Sequence, residues 1–137
     1  MDHITLTIDP RGVATLALDR AAKRNALSAQ MMDELAQAAA ELDANDAVRV
    51  VVLAAEGAVF CAGGDLGWMQ AQMAADDATR ATEGRRIAGM LHALNSMTKP
   101  LIGRVHGDAF GGGVGMACVC DVVVACETAM FGLTETK

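Results

Sequence analysis

Two glycine-rich segments constrain this chain more than any other feature, because each follows an apolar, strand-like run and each opens a helical pattern. The first is Phe60-Cys61-Ala62-Gly63-Gly64-Asp65-Leu66, after the β-branched run from Val48 to Ala54. The second is Gly107-Asp108-Ala109-Phe110-Gly111-Gly112-Gly113-Val114-Gly115, after Leu101 to Val105. Strands that pass through short loops into helices in this order argue for an α/β fold with a largely parallel sheet. Taken alone, the first segment reads more readily as a tight turn whose glycines supply positive φ, and the second as a place of close helix packing. Two familiar phosphate loops are excluded. Gly111-x-Gly113 is followed by Met116 where the dinucleotide fingerprint needs a third glycine, and no Lys-Ser/Thr pair follows as in a P-loop.

The rest of the chain fits the same class. Ile4 to Ile8 alternates apolar and polar residues, Asp9-Pro10-Arg11-Gly12 is a turn, and Val13 to Leu18 alternates again, so the chain opens with a β-hairpin. Asp19 to Asn25 is polar and irregular. Ser28 is placed to cap a helix in which Leu27, Met31, Leu35, Ala38 and Leu42 recur at helical spacing, ending at Asn45-Asp46. The unbroken run from Val48 to Ala54 predicts a strand buried on both faces. A short helix is expected from Leu66 to about Met73, and a long one from Asp76-Asp77 to Met97, broken by Lys99-Pro100. Leu101 to Val105 reads as a strand, Gly111 to Val119 as a buried helix of small residues, and Val122 to Ala125 as a further strand.

Composition narrows the function. With 137 residues, of which 53% are hydrophobic and 20% charged, the chain has the material for a core and is read as one domain over 1–137. A net charge of -6 without a basic run argues against nucleic acid as a partner. The apolar stretches are interrupted by Gly, Asp or Arg well short of a membrane span, and no basic, then long apolar, leader opens the chain. Cys61, Cys118, Cys120 and Cys126 have apolar neighbours and neither metal-ligand nor disulfide-framework spacing, which predicts buried free thiols, no metal site and a cytoplasmic setting. The chain stops abruptly after Thr134-Glu135-Thr136-Lys137, and continuation of the natural protein beyond this point is the expectation.

Two glycine loops in so short a chain point to a site formed jointly. Two backbone N–H groups aimed at one oxygen make an oxyanion hole, which thioester chemistry needs when enolisation or conjugate addition moves charge onto the carbonyl oxygen. At these residues the sequence resembles the enoyl-CoA hydratase/isomerase family. The matching segments are Lys23-Arg24-Asn25-Ala26-Leu27-Ser28, the Phe60 to Leu66 loop, Lys99-Pro100 to Val105, Gly107 to Gly113, and Cys120-Asp121. The resemblance implies a crotonase-like spiral of ββα units, of which this chain is the N-terminal part, in a homotrimer or hexamer. It implies an acyl-CoA substrate, with coenzyme A part of that substrate and no separate cofactor. By position in the matched motifs, Gly64 and Gly112 would be the two oxyanion donors. Lys23, Arg24, Ala26, Ala62, Gly64, Asp65, Leu66 and Gly112 would line the CoA and thioester site.

One departure bears on the reaction. Hydratases of the best-known type carry a glutamate two residues after the glycine triplet, and Gly115 stands there in this chain. The family's other glutamate follows a Phe-Gly pair, which Phe131-Gly132-Leu133-Thr134-Glu135 matches, so Glu135 would be the catalytic acid and base. A hydratase shares its work more easily between two carboxylates, whereas an isomerase needs one. Gly115, Gly64 to Gln70 and Gly103 to Gly107 resemble the branch acting on glutaconyl-type, branched or carboxylated enoyl-CoAs, as in branched-chain amino acid degradation, which favours hydration. Arg104 and His106, two apart on one strand face, are candidates for a substrate carboxylate, although a strand here more often serves the core. An isomerase with one glutamate, and a family member that binds acyl-CoA without turning it over, are the alternatives.

Overall fold

A computed structural model describes residues 1–134. The opening hairpin forms as its alternation predicts: β1 (Ile4–Ile8) pairs antiparallel with β2 (Val13–Leu18), Ile4 opposite Leu18. Gly12, at φ 82°, closes the turn. A Cβ there would meet the carbonyl oxygen of Ala47 at 2.6 Å, so the position needs glycine on both counts. After a short 3₁₀ turn (Ala21–Lys23), α1 (Ala29–Ala44) begins at Ser28, whose hydroxyl accepts the Met31 N–H at 3.2 Å. Its buried Met31, Met32, Leu35, Ala38, Ala39 and Leu42 form one stripe at helical spacing. Full burial of each large side chain contributes about 1.5–3 kcal/mol before entropy is counted.

The chain continues through β3 (Val50–Ala55), α2 (Leu66–Ala74), α3 (Asp77–Asn95), β4 (Leu101–Val105), β5 (Ala109–Phe110), α4 (Gly112–Cys118), β6 (Val122–Ala125) and β7 (Phe131–Gly132). The five-stranded sheet has the order β1-β2-β3-β4-β6, and all its pairings after the first are parallel. A second, two-stranded parallel sheet joins β5 to β7. The α1 stripe, the inward residues of β2, β3 and β4, and Met90 and Leu94 of α3 form one buried cluster with Phe60 and Cys61. The glycine loops therefore grow directly out of the core.

Several expectations are corrected. The long helix ends at Asn95 rather than Met97, because Asp43 takes the Thr98 N–H and hydroxyl and draws the chain away toward β4. The β3 strand starts at Val50, and its outward Val50 and Val52 are only half-buried. Of the cysteines, all free, Cys61 is buried while Cys118 and Cys126 are exposed. The α4 helix buries Gly113, Met116 and Ala117 but leaves Cys118 in solvent, and every residue of β6 is exposed. The apolar residues of α4 and β6 reach solvent because these elements sit at the sheet edge, where no described element covers them. The short β5 and β7 carry too few residues for a periodicity and went unforeseen. Among the described residues no helix is long and apolar enough to cross a membrane, and no group of three or more His, Cys, Asp or Glu side chains is placed to hold a metal ion.

Candidate functional site at the two glycine loops

The loops lie side by side because their backbones are bonded to each other. Cys61 donates its N–H to Asp108 O at 3.1 Å and accepts the Phe110 N–H at 2.9 Å, an isolated parallel bridge with Ala109. Gly63, at φ 92°, packs against the Phe110 carbonyl, which a Cβ would approach to 3.2 Å. Gly113 packs on Cys61, where an added Cβ would lie 2.8 Å from both the Cys61 oxygen and its Cβ. Burial pushes the Cys61 thiol up to about 11, so this sulfur is a packing element and not a nucleophile.

Leu27 joins the two glycines that the sequence singles out. Its N–H donates to Gly63 O at 2.8 Å and its carbonyl accepts the Asp65 N–H at 3.0 Å, a parallel bridge with Gly64 between. In such a bridge the flanking residues make the bonds, so the Gly64 N–H points away from Leu27. The Leu27 side chain reaches the second loop, its Cδ1 lying 2.5 Å from the position of a Gly112 Cβ. Gly112 is the first residue of α4, where an N–H has no intrahelical acceptor. Among the described residues neither the Gly64 nor the Gly112 N–H has a hydrogen-bond partner.

A polar frame fixes the first loop. The Arg20 guanidinium donates to Asp65 Oδ2 at 2.7 Å and to Ala26 O at 3.1 Å. Asp65 also caps α2 by accepting the Trp68 N–H at 3.1 Å. The Arg20 bond first, and the Trp68 N–H second, hold the Asp65 carboxyl below the usual range. Arg24 and Asn25 both stand at φ 53°, and this left-handed pair turns the chain so that Ala62 donates to Arg24 O at 3.0 Å. Asn25 is fully buried and satisfied: its amide donates to Glu56 O and Val59 O and its oxygen accepts the Arg20 N–H. The Trp68 indole donates to Glu83 on α3 at 2.7 Å, and Arg86 ties Glu83 to Asp33 of α1.

Two cavities meet at Gly64. One of about 480 Å³ is lined by Arg20, Lys23, Arg24, Ala26, Ala62, Gly64, Asp65, Leu66 and Gly67. The other, about 220 Å³, is lined by Ala62, Gly63, Gly64, Leu66, Met69 and Thr134. Of the positions expected at a CoA site, Lys23, Arg24, Ala26, Ala62, Gly64, Asp65 and Leu66 surround the first cavity; Gly112 lines neither and stands behind Leu27. Lys23 and Arg24 are exposed cations at its mouth without an ion pair among the described residues. Arg104 is exposed on β4 and His106 is bonded to Gly57 O at 2.7 Å; neither lines either of these two cavities. Glu135 lies outside the described residues. Arg20, Met69 and Thr134 were not anticipated. Arg20 sits in a polar stretch with no pattern, and its role depends on a partner 45 residues away. Beside Gly115 stands Leu91 of α3, whose methyls would lie 3.5 and 3.6 Å from a Cβ at that position.

A parallel sheet with two helix-opening glycine loops bonded together, two unpartnered amides and a cationic cleft define a crotonase-type α/β fold, here its N-terminal part. Residues 9–137 match the profile described as Enoyl-CoA hydratase/isomerase, and the chain belongs to this family. It is 35% identical over 131 residues to 4-chlorobenzoyl coenzyme A dehalogenase-2 of Arthrobacter sp, covering 95% of this chain and 48% of that protein. The enoyl-CoA hydratase AKT6-1 of Alternaria alternata is 34% identical over 126 residues, covering 92% of this chain and 40% of the relative. The crystal structure of an enoyl-CoA hydratase from Mycobacterium smegmatis superposes with a TM-score of 0.92 at 36% identity, over 98% of this chain and 51% of that one. The chain spans about half the length of the relatives it matches.

Proposed function

We propose that this chain supplies the thioester-binding and oxyanion part of an enoyl-CoA hydratase. The observation that carries the reading is the pair of N–H groups of Gly64 and Gly112, unpartnered among the described residues, on loops locked together at Leu27, with a cationic cavity and an apolar one both lined by Gly64. The thioester carbonyl sits at Gly64. Its CoA arm runs through the first cavity past Lys23 and Arg24, whose charges suit phosphate, and the acyl group enters the second. The two amides stabilise the enolate oxygen as water adds at the β-carbon; the Glu135 carboxylic acid delivers the proton that forms the α C–H bond, and the carboxylate so formed takes the proton that the added water loses. Its place after Phe131-Gly132 is the ground for that role. Relatives named as enoyl-CoA hydratases support the choice of hydration.

A second reading is double-bond isomerisation. It is favoured by Gly115, which faces the methyls of Leu91 and offers no carboxylate to hold a water. The glutaconyl-type substrate stays a resemblance in sequence alone, since Arg104 and His106 line neither cavity. A homotrimer or hexamer is the assembly we propose, to be read by sedimentation. The decisive experiment measures loss of enone absorbance with crotonyl-CoA and methylglutaconyl-CoA in the full-length protein and in Glu135→Gln. Hydration by the native protein, reduced about 10²–10⁴-fold by the variant with CoA affinity kept, supports the proposal. Double-bond migration without hydration selects the isomerase. CoA binding with turnover of no enoyl-CoA identifies a binding protein, and failure to bind CoA rejects the site.

A further inference from the structure

Arg20 is rooted more firmly than a surface cation needs to be. Its N–H donates to the side-chain oxygen of Asn25 at 2.9 Å, and its carbonyl accepts the N–H groups of Lys23 and Asn25 at 2.9 and 3.0 Å. Asn25 is fully buried, and its amide is fixed by Glu56 O and Val59 O, both at 2.8 Å. The base of the arginine is therefore held by the backbone that leads into the first glycine loop. At its tip one nitrogen, Nη1, donates both to Ala26 O and to Asp65 Oδ2. These two acceptors flank the Leu27–Gly64 bridge, since Ala26 precedes Leu27 and Asp65 follows Gly64. A single atom thus pins both backbone segments of the bridge, beside the Gly64 N–H. Leu27 passes the constraint on, because its side chain is what a Gly112 Cβ would meet. The Arg20 and Asp65 side chains are 20% and 18% exposed. An ion pair placed there contributes modestly to stability, because desolvation offsets much of the attraction. What it fixes is direction, since charged hydrogen bonds hold two segments at a set angle where apolar contact lets them slide.

We propose that Arg20 is a positioning residue, whose bonds to Ala26 and Asp65 aim the Gly64 N–H at the thioester oxygen. The inference rests on the thioester reading above. An oxyanion donor is effective only when its direction is set before charge develops. A displacement of about 1 Å near the reacting atoms costs on the order of 10²-fold in rate. Without Arg20, Asp65 keeps its bond to the Trp68 N–H and its own N–H keeps Leu27 O. The loop then stays in place while the Gly64 amide loses its fixed angle.

The test uses the full-length protein and its Arg20→Met, Arg20→Lys, Asp65→Ser and Arg20→Met/Asp65→Ser variants. Serine still caps a helix but is too short to reach Arg20. Three quantities are measured on protein whose circular dichroism matches the native: kcat with crotonyl-CoA, free-CoA affinity, and the red shift of cinnamoyl-CoA on binding. The shift reports polarisation of the thioester carbonyl by N–H donors and does not depend on turnover. Arg20→Met and Asp65→Ser should each lower kcat about 10–10²-fold and diminish the shift, with free-CoA affinity unchanged. The double variant should lose no more than either single one, because both cut the same link. Arg20→Lys should recover part of kcat, its ammonium reaching one of the two oxygens. Should Arg20→Met fail to fold, Asp65→Ser and Arg20→Lys carry the same comparison. Full kcat and an undiminished shift in the single variants overturn the positioning role and leave the thioester reading standing. Losses that add in the double variant overturn it as well, since the two residues would then act separately. A fall in free-CoA affinity with kcat retained overturns it in favour of a direct contact between Arg20 and CoA. A native protein that shows neither turnover nor a shift rejects the thioester reading, and the role of Arg20 falls with it.

Discussion

The loop around Gly64 is held in place by polar bonds to a distant segment, whereas the loop around Gly112 is held by what its residues lack. Arg20, Asp65, Asn25 and Leu27 bind the first with an ion pair and a set of backbone hydrogen bonds. Gly111, at φ 50°, and Gly112 and Gly113, where a Cβ would come within 2.8 Å of Leu27 or Cys61, bring the second close enough to touch it. The difference separates two kinds of sensitivity. The first loop responds to charge and pH, the second to volume. In the second, the consequence turns on which glycine is changed, because Gly115 has ordinary contact distances where Gly113 has none to spare.

The largest effect is expected from Gly112→Pro. Proline suits the first position of a helix, so the backbone tolerates it, but the N–H is gone. Turnover should fall about 10²–10³-fold, roughly 3–4 kcal/mol of transition-state stabilisation. Gly112→Ala is the control: it carries the same Cβ toward the flexible Leu27 methyl yet keeps the N–H. If alanine lowers turnover as far as proline does, the loss is one of packing and the donor role fails.

Next comes Gly113→Ala. The added methyl meets the Cys61 backbone oxygen at 2.8 Å, and backbone cannot turn aside as a side chain can. A stability loss of about 2–3 kcal/mol in urea unfolding is expected, on the scale of an overpacked core. A variant as stable as the native protein would mean that the two loops are not in this contact.

The polar loop predicts a pH signature. Asp65 has its carboxyl lowered from 3.8 by Arg20, so its stabilisation is complete above that value and is lost as pH falls through the lower, folded one. Arg20→Met should lower stability at pH 7 by about 1–2 kcal/mol, the range for a charged hydrogen bond that is partly exposed. The gap between variant and native protein should then close as the solution is acidified below about 3.8. A gap that is constant with pH would assign the loss to packing of the arginine stem.

The smallest effect has the opposite sign. Gly115→Ala places a methyl 3.5 Å from Leu91 inside a helix, at ordinary contact distance. Thermal unfolding should show a gain of about 0.5–1 kcal/mol, the usual difference between the two residues in a helix interior. Destabilisation here would show that the space before Leu91 is tighter than in this structure.

Local signals made much of the architecture legible. The hairpin, the capped helix after Ser28, the buried run before the first loop and the helices opening after Asp65 and Asp76 rest on periodicity and on residues a few positions apart. The glycine loops were visible for the same reason, since glycine runs between a strand and a helix are rare in any one short stretch. The degree of burial within one element was not legible: Val122 and Val124 carry a core-like composition and stand 52% and 63% exposed, while Val51 and Leu53 of β3 are fully buried. Composition reports what a residue prefers, while exposure depends on what lies against it.

By itself, then, the sequence determined the elements, their order and the two loops where backbone comes close to a ligand. The tertiary structure alone decided how those loops meet. The pairing of Arg20 with Asp65, the bridging of Leu27 to Gly64 and of Cys61 to Ala109, and the approach of Leu91 to Gly115 all join residues distant in the chain. Such contacts follow from sheet register and helix packing. A one-residue slip in either would leave the local pattern unchanged and move every partner, which is why no local reading could supply them.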